Sequence, residues 1–218
     1  MALTFSRFSG RQLLACLIAL FVVPSLVEWA GWADWARVIL FTAAMISAVP
    51  AVGGRHRVAA TAVITPGLVL LWLIGFGVFS PHGAVGLAFL AYMAATVILA
   101  IVRLLQFALA ARSVDGEVLA AGISVYLLLG LLWSFLYRLM DLIHPGAFHG
   151  GGRVLDESDA FYFSLCTLTT AGYGDITPVT HPARMLAVME SITGVLYIGV
   201  LVARLVSLYS SPAARKES

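Results

Sequence analysis

The sequence predicts an all-α membrane protein with six transmembrane helices and a short re-entrant helix and loop between helices five and six. Three observations lead to this fold class. Of the 218 residues, 61% are hydrophobic and only 11% are charged, whereas soluble domains carry about 45–50% apolar and about 25% charged residues. Several apolar runs reach the roughly 20 residues that a helix needs to cross a membrane. One further apolar run is too short to cross and leads into a glycine-containing loop.

Six segments have the length and composition of membrane-spanning helices. They lie at residues 12–30, 37–53, 58–79, 84–109, 117–140 and 183–209. The short apolar piece at 159–169 runs into the loop TLTTAGYGDITP at 167–178. Irregular backbone at membrane depth is tolerated only where it is buried in protein or lines a watery cavity. We therefore expect this piece and its loop to enter the membrane and return to the same side.

The distribution of basic residues predicts that both termini are cytoplasmic. The inner set would be Arg7, Arg11, Arg55, Arg57, Arg103, Arg112, Arg204, Arg215 and Lys216, and the outer set Arg37, Arg138, Arg153 and Arg184. An excess of Lys and Arg in inner loops is the usual orientation signal. We expect a multi-pass protein in the lipid bilayer of a bacterial plasma (inner) membrane. The net charge of only +2 argues against a nucleic-acid partner.

The loop has a composition suited to exposing backbone carbonyls. Glycine reaches backbone angles that are closed to other residues, so Gly172 and Gly174 allow successive carbonyls to point the same way. Four such loops around an axis would stack rings of oxygens that replace the water shell of a monovalent cation, as in the TVGYG loops of potassium channels. Because one chain supplies one loop, this chemistry predicts a homotetramer. Tyr173 would pack behind the loop, and Asp175 would attract cations at its mouth.

Residues 157–209 resemble the pore domain of potassium channels, with a pore helix, the filter TTAGYGD at 169–175 and an inner helix. The resemblance implies a potassium-selective channel that conducts passively, with K⁺ as the permeant ligand and no other cofactor. It places K⁺ at Thr170, Ala171, Gly172 and Tyr173, completes the filter with Gly174, and puts Thr169 and Asp175 at its flank and outer mouth. It also implies a hinge in the inner helix at Gly194.

One residue departs from the family pattern, since the usual valine of the filter is Ala171 here. Its backbone carbonyl is retained, so K⁺ binding is expected to survive. The smaller side chain would loosen the packing behind the filter, which leaves a non-selective monovalent cation channel as one alternative. A non-conducting membrane scaffold or regulatory subunit is another.

The inner helix carries two further candidate features. Its periodicity puts Val195, Ile198, Val202 and Val206 on one stripe, which would line the pore and form a possible gate, since a narrow aliphatic constriction can expel water. Ordinary helix packing explains the same stripe equally well. Glu190 is an intramembrane acid, which is a functional hypothesis by default. It would either accept hydrogen bonds from pore-helix hydroxyls or be protonated, and we expect it to support the filter.

The predicted domains are a four-helix transmembrane domain at 1–113, a pore domain at 114–210 and a short cytoplasmic tail at 211–218. The first domain occupies the place of a voltage sensor but is poor in charge, because Arg103 is the one arginine expected well inside the membrane. Strong voltage gating is therefore not expected. The run from His149 to Gly152 resembles an esterase oxyanion motif, but no G-x-S-x-G accompanies it, so we do not expect an enzyme.

Overall fold

The computed structural model describes residues 9–48, 65–69, 83–111, 115–150 and 155–209. The described elements are mostly helical. In chain order they are α1 (Ser9–Val27), a 3₁₀ turn (Glu28–Ala30), α2 (Ala33–Ala48), α3 (Gly83–Ala110), α4 (Gly116–Ile143), β1 (Phe148–His149), α5 (Glu157–Leu168), β2 (Thr177–Pro178) and α6 (His181–Tyr209). Residues 65–69 are also helical.

Four of these helices are long and apolar enough to cross a membrane, namely α1, α3, α4 and α6. They correspond to the first, fourth, fifth and sixth predicted segments. The second predicted segment coincides in part with α2, which has 16 residues, and its end at 49–53 lies outside the described residues. Most of the third predicted segment, 58–79, and the predicted tail at 211–218 also lie outside them.

The first of two compact units contains residues 1–82 and 95–127. In its described part, α1 packs against α2 and the two helices bury apolar side chains at helical spacing. These are Leu13 and Leu17 of α1 with Phe41, Ala44, Met45 and Ala48 of α2. Such a stripe is the pattern by which one helix covers the apolar face of another.

The second unit contains residues 83–94 and 128–218, and its core surrounds an aromatic cluster. Tyr137 of α4 meets Phe163 of α5 with ring centroids 4.8 Å apart and Phe148 of β1 at 5.5 Å, both edge to face. Phe148 and Phe163 complete the triangle at 5.4 Å. Edge-to-face pairs at these separations are the favoured geometry of aromatic rings. The cluster therefore fixes α5 against α4. The predicted division at residues 113 and 114 remains a prediction.

Two very short strands correct the all-α prediction. Phe148 pairs with Pro178 and His149 with Thr177 in an antiparallel arrangement. Two residues are too few to give an alternating pattern that sequence could reveal. Their pairing depends on burial instead, since Phe148 is buried in the aromatic core and Ile176, next to β2, is buried with it. The pair ties the segment before α5 to the segment after the GYG loop.

Candidate ion-binding site

The site is built on the short helix α5, whose beginning is fixed by a cap. Asp156 precedes the helix in an extended conformation, and its side chain accepts a hydrogen bond from the Asp159 amide at 2.7 Å. A carboxylate at this position satisfies an amide that the helix itself leaves free. Burial raises the pKa of Asp159, and the neighbouring carboxylates of Asp156 and Asp175 add to the effect. The cap holds the polar end of the helix in place.

The residue before the cap is held by two side chains of α4. Asp141 is buried and its Oδ2 accepts a hydrogen bond from the Leu155 amide at 2.9 Å. Arg138 donates from Nη1 to the carbonyl oxygen of the same residue. Arg138 and Asp141 are three positions apart, so they lie on one face of the helix. Together they fix both polar groups of Leu155, and we call this arrangement the Leu155 clamp.

The loop at residues 169–175, which we call the filter loop, has an alternating backbone. Thr170, Gly172 and Gly174 have φ of 59°, 56° and 81°, whereas Ala171 and Tyr173 between them are not in the positive-φ region. An alternation of negative and positive φ can turn successive peptide groups the same way, with the amides on one side and the carbonyls on the other. This is the backbone that a column of carbonyl ligands requires.

The amides in the first half of the filter loop, those of residues 169–172, are bonded to the end of α5. The Thr170 amide donates to the Thr167 carbonyl at 3.0 Å, and the amides of Ala171 and Gly172 donate to the Cys166 carbonyl at 2.8 and 3.3 Å. These acceptors belong to the last turn of the helix, where carbonyls have no partner within the helix. These hydrogen bonds therefore give partners both to the carbonyls at the helix end and to the loop amides that donate to them.

The carbonyls of the same loop remain available. Within the part of the chain that the structure describes, the carbonyl oxygens of residues 170–174 accept no hydrogen bond. The loop residues 169–175 are also exposed in the single chain. Carbonyl oxygens are hard ligands, suited to alkali and alkaline-earth cations. The loop can thus offer several carbonyl oxygens to a cation.

The outer end of the filter loop is supported by Tyr162 of α5. Its ring stacks on that of Tyr173 with centroids 6.3 Å apart and planes inclined by 7°. Its hydroxyl is the main cause of a lowered pKa of Asp175, and the Asp175 carboxylate in turn raises the pKa of Tyr162. Tyr173 therefore has Tyr162 as an aromatic partner in the same chain. That Tyr173 packs behind a filter, and that Asp175 lies at its mouth, remain predictions.

Glu190 of α6 is fully buried and joins three helices. Its carboxylate accepts a hydrogen bond from the Ser164 hydroxyl of α5 at 2.6 Å and another from the Tyr137 hydroxyl of α4. Ser164 also lies 2.7 Å from the carbonyl oxygen of Gly130 in α4. A buried carboxylate is costly unless hydrogen bonds replace its hydration. Here two hydroxyls provide that replacement.

The surroundings of the other predicted inner-helix residues say less about their roles. The predicted stripe is half exposed in the single chain, from 47% at Ile198 to 60% at Val206. Many other apolar residues of α6 are equally exposed, so its role as pore lining stays a prediction. Gly194 lies against the backbone of α5, because a Cβ atom there would collide with the Leu168 carbonyl oxygen. Whether Gly194 is also a hinge stays a prediction.

Several contacts of this site have no signal in the sequence. The left-handed conformation of Thr170 was not predicted, because a β-branched residue rarely adopts it. The Leu155 clamp and the role of Tyr162 were also missed. The acidic run DESD at 156–159 does contain a helix-capping signal, which would have located the start of α5. The remaining contacts join residues far apart in sequence, and neither composition nor spacing predicts them.

Comparison with known proteins shows what this part of the chain is similar to. Residues 118–211 match a family model described as an ion channel. The chain is 47% identical over 49 residues to the two-pore potassium channel 4 of Arabidopsis thaliana, covering 22% of this chain and 17% of that protein. It is 44% identical over 43 residues to the voltage-gated potassium channel Kch of Escherichia coli, covering 20% and 10%. No solved structure matches the chain significantly.

The resemblance to potassium-channel pore domains is therefore confirmed for this part of the chain. Together with the four apolar helices, it identifies a multi-pass membrane protein. The chain spans about a fifth or less of the length of the two-pore relatives that it matches.

Proposed function

We propose that the chain is the subunit of a potassium-selective channel, in which four copies surround one pore in the lipid bilayer and conduct K⁺ passively. The observation that carries this proposal is the filter loop, in which the amides of residues 169–172 are bonded to α5 and the carbonyls of residues 170–174 accept no hydrogen bond from the described residues. Amide groups that are already bonded do not compete with a cation for the carbonyls. The relatives named as potassium channels support the choice of ion.

The homotetramer follows from the geometry of coordination. A dehydrated K⁺ needs a shell of several oxygens at each site, and one loop supplies only one or two of them. Four copies would place rings of carbonyls from Thr170, Ala171, Gly172 and Tyr173 around the axis. Tyr173 is 74% exposed in the single chain, which leaves its ring free to pack against neighbouring subunits as well as Tyr162.

The remaining parts of the architecture belong to the same proposal. The chain would have six transmembrane helices and a re-entrant pore helix, α5. Both termini would lie in the cytoplasm of a bacterium. The channel would lie in its inner membrane. Residues 114–210 would form the pore domain and residues 1–113 a charge-poor four-helix domain. Strong voltage gating is not part of the proposal. Arg103 has no ion pair with an acid among the described residues, where ion pairs involve Arg11 and Arg37. The chain would catalyse no reaction.

Ion flux into liposomes tests conduction directly. Purified protein reconstituted into liposomes is expected to release trapped K⁺ down its gradient when a protonophore balances the charge, and native mass spectrometry is expected to show four copies. Liposomes with Gly172→Ala protein serve as the control. A folded tetramer that released no K⁺ would contradict the proposal and favour a scaffold or regulatory subunit.

A less selective cation channel is the second candidate, and Ala171 is the observation that favours it. We expect Ala171→Val to preserve or sharpen the preference for K⁺ over Na⁺, because two added methyl groups fill space behind the filter and leave the carbonyl unchanged. The reversal potential under opposed K⁺ and Na⁺ gradients measures this. Complete loss of conduction in Ala171→Val would show that the space behind this filter is built differently.

The effect of the Tyr162 hydroxyl on Asp175 predicts a pH dependence of the current. The pKa of Asp175 is depressed in the folded protein, so its charge, and the stabilisation from this interaction, are fully present above the ordinary pKa. Both are lost only as the pH falls through the depressed value. We expect Tyr162→Phe to move the fall in single-channel conductance on external acidification to higher pH, towards the ordinary aspartate value. The same substitution in an Asp175→Asn background should cause no such shift, and an equal shift there would contradict the assignment.

A further inference from the structure

The two halves of the filter loop are held differently. The amides of residues 169–172 donate to carbonyls at the end of α5, whereas the amides of Tyr173 and Gly174 have no acceptor among the described residues. Tyr162 stacks on the ring of Tyr173, but a ring contact does not fix the direction of a peptide group. The backbone of the outer half of the loop, residues 173–175, therefore depends on a support other than the end of α5.

The segment that lies against this outer half is residues 147–150, which we call the outer strap. A Cβ atom at Gly150 would overlap the carbonyl oxygen of Asp175 and would lie 3.1 Å from the Cα atom of Ile176. The backbone of Gly150 thus directly contacts the peptide group that ends the filter loop. Gly150 also has φ of 111°, which residues with a side chain rarely adopt. Both the backbone angle and the lack of space therefore require glycine at this position.

The outer strap is itself anchored in the core of the second unit. Phe148 is buried in the aromatic cluster. Ala147 is also buried, and its carbonyl accepts a hydrogen bond from the Val179 amide at 2.8 Å. Between these contacts, β1 pairs with β2, which begins two residues after Asp175. Because the core end of the strap is fixed, its other end holds Gly150 against the Asp175 carbonyl.

We propose that the outer strap positions the outer half of the filter loop, with Gly150 as the positioning residue. This inference rests on the proposed function, because the position of the loop carbonyls matters only if they bind K⁺. The Asp175 peptide directly follows Gly174, so a displacement at Asp175 passes to the carbonyls of Tyr173 and Gly174. These carbonyls replace water around the ion, and moving them reduces the preference for K⁺ over Na⁺. The selectivity of the channel then depends on a glycine outside the filter loop.

The K⁺/Na⁺ permeability ratio, obtained from reversal potentials of the reconstituted channel, tests the contact at Gly150. Gly150→Ala is expected to lower this ratio by about fivefold or more, because the added methyl group must displace the Asp175 carbonyl and the carbonyl rings next to it. A Gly150→Ala channel whose ratio lies within about twofold of the wild-type ratio would overturn the proposal.

Gly146→Ala is the matched control for this substitution. Gly146 lies four residues earlier in the same loop and has φ of 83°, but a Cβ atom there would meet nothing within 4 Å. The backbone cost of a side chain at positive φ is therefore similar, without the collision. We expect Gly146→Ala to keep the wild-type permeability ratio. A loss of selectivity equal to that of Gly150→Ala would overturn the proposal, since the effect would then come from the loop in general.

A second pair of variants decides the question if Gly150→Ala does not assemble. Phe148→Leu keeps an apolar side chain in the core but loses the edge-to-face contacts that anchor the strap. Phe41→Leu makes the same exchange at a buried phenylalanine of α2, in the first unit. We expect Phe148→Leu to lower the permeability ratio by about threefold or more and Phe41→Leu to leave it unchanged. Equal ratios in these two variants would overturn the proposal.

Amide hydrogen exchange of the purified protein tests the strap without ion conduction. The Val179 side chain is exposed, but its amide is bonded to the Ala147 carbonyl of the strap, so its protection reports whether the strap is in place. Mass spectrometry of a peptide covering residues 176–180 should show exchange about fivefold or more faster in Gly150→Ala and unchanged in Gly146→Ala. Equal exchange in Gly150→Ala and the wild type would overturn the proposal. If the wild type conducts no K⁺, the proposed function fails, yet the exchange rates still decide whether Gly150 holds the strap against the loop.

Discussion

Replacing Gly172 with alanine is expected to abolish selective K⁺ conduction. Gly172 has φ of 56°, in the left-handed region, where a side chain costs about 1–2 kcal/mol per residue. The cost recurs in four subunits around one axis. Relaxing to a right-handed conformation would break the alternation and turn a carbonyl away from the pore. Recording K⁺ currents from reconstituted Gly172→Ala protein measures the effect.

A matched control separates this effect from general destabilisation. Gly31 also has a positive φ, 73°, and a Cβ atom would meet nothing within 4 Å at either glycine. Gly31→Ala therefore carries a similar backbone cost in a turn far along the chain from the filter loop. We expect it to keep selective K⁺ current. Normal K⁺ currents from Gly172→Ala would show that the filter is assigned to the wrong residues.

Replacing Asp141 with alanine is expected to destabilise the pore domain by about 1–3 kcal/mol. Asp141 is buried and accepts a hydrogen bond from the Leu155 amide. Removing it leaves that buried amide without a partner, and an unsatisfied buried donor costs about this much. Because Leu155 directly precedes the cap of the pore helix, we also expect a smaller fraction of assembled tetramer. Thermal unfolding of the purified protein and native mass spectrometry measure the two effects.

Asp34 provides the control for this substitution. Its carboxylate pairs with Arg37 at 2.6 Å, but its side chain is 87% exposed. Exposed ion pairs three or four positions apart on a helix contribute only about 0.3–0.5 kcal/mol. Asp34→Ala should therefore leave assembly and the unfolding midpoint nearly unchanged. Equal losses for the two variants would mean that the Leu155 clamp contributes nothing specific.

The filter loop could be predicted from its sequence because its chemistry is local. Gly172 and Gly174 indicate a backbone conformation that other residues avoid, and the structure places both in the left-handed region. Thr170 shares that conformation without any such signal. Its strain, of the order of 1–3 kcal/mol for a residue in a sparsely populated region, is opposed by the hydrogen bond from its amide to Thr167. Sequence reveals residues suited to a conformation, but not those forced into it.

The supporting contacts could be predicted only in part because they are long-range. Glu190 stands out in the sequence as an acid within an apolar segment, and a hydroxyl of the pore helix was expected beside it. That this hydroxyl is Ser164, and that Tyr137 bonds the same carboxylate from 53 positions away, required the structure. The helices long and apolar enough to span a membrane were easier to predict, since their length and apolar composition are properties of the chain itself.

The polar groups around the filter loop fall into two sets. The amides of residues 169–172 bond to the carbonyls at the end of α5, while Glu190 and the Leu155 clamp hold α5 itself. The carbonyls of residues 170–174 accept no hydrogen bond within the described region. Selectivity would then depend on how firmly these supports hold the carbonyls, rather than on any charged side chain within the filter.

The central claim is tested most directly by the reversal potential of the purified wild-type protein in a planar bilayer, with K⁺ on one side and Na⁺ on the other. We predict a reversal potential close to the equilibrium potential of K⁺, because the free carbonyls of four filter loops would coordinate K⁺ in place of its water. A robust current that reversed near zero would contradict the account, since the pore would then pass both ions alike.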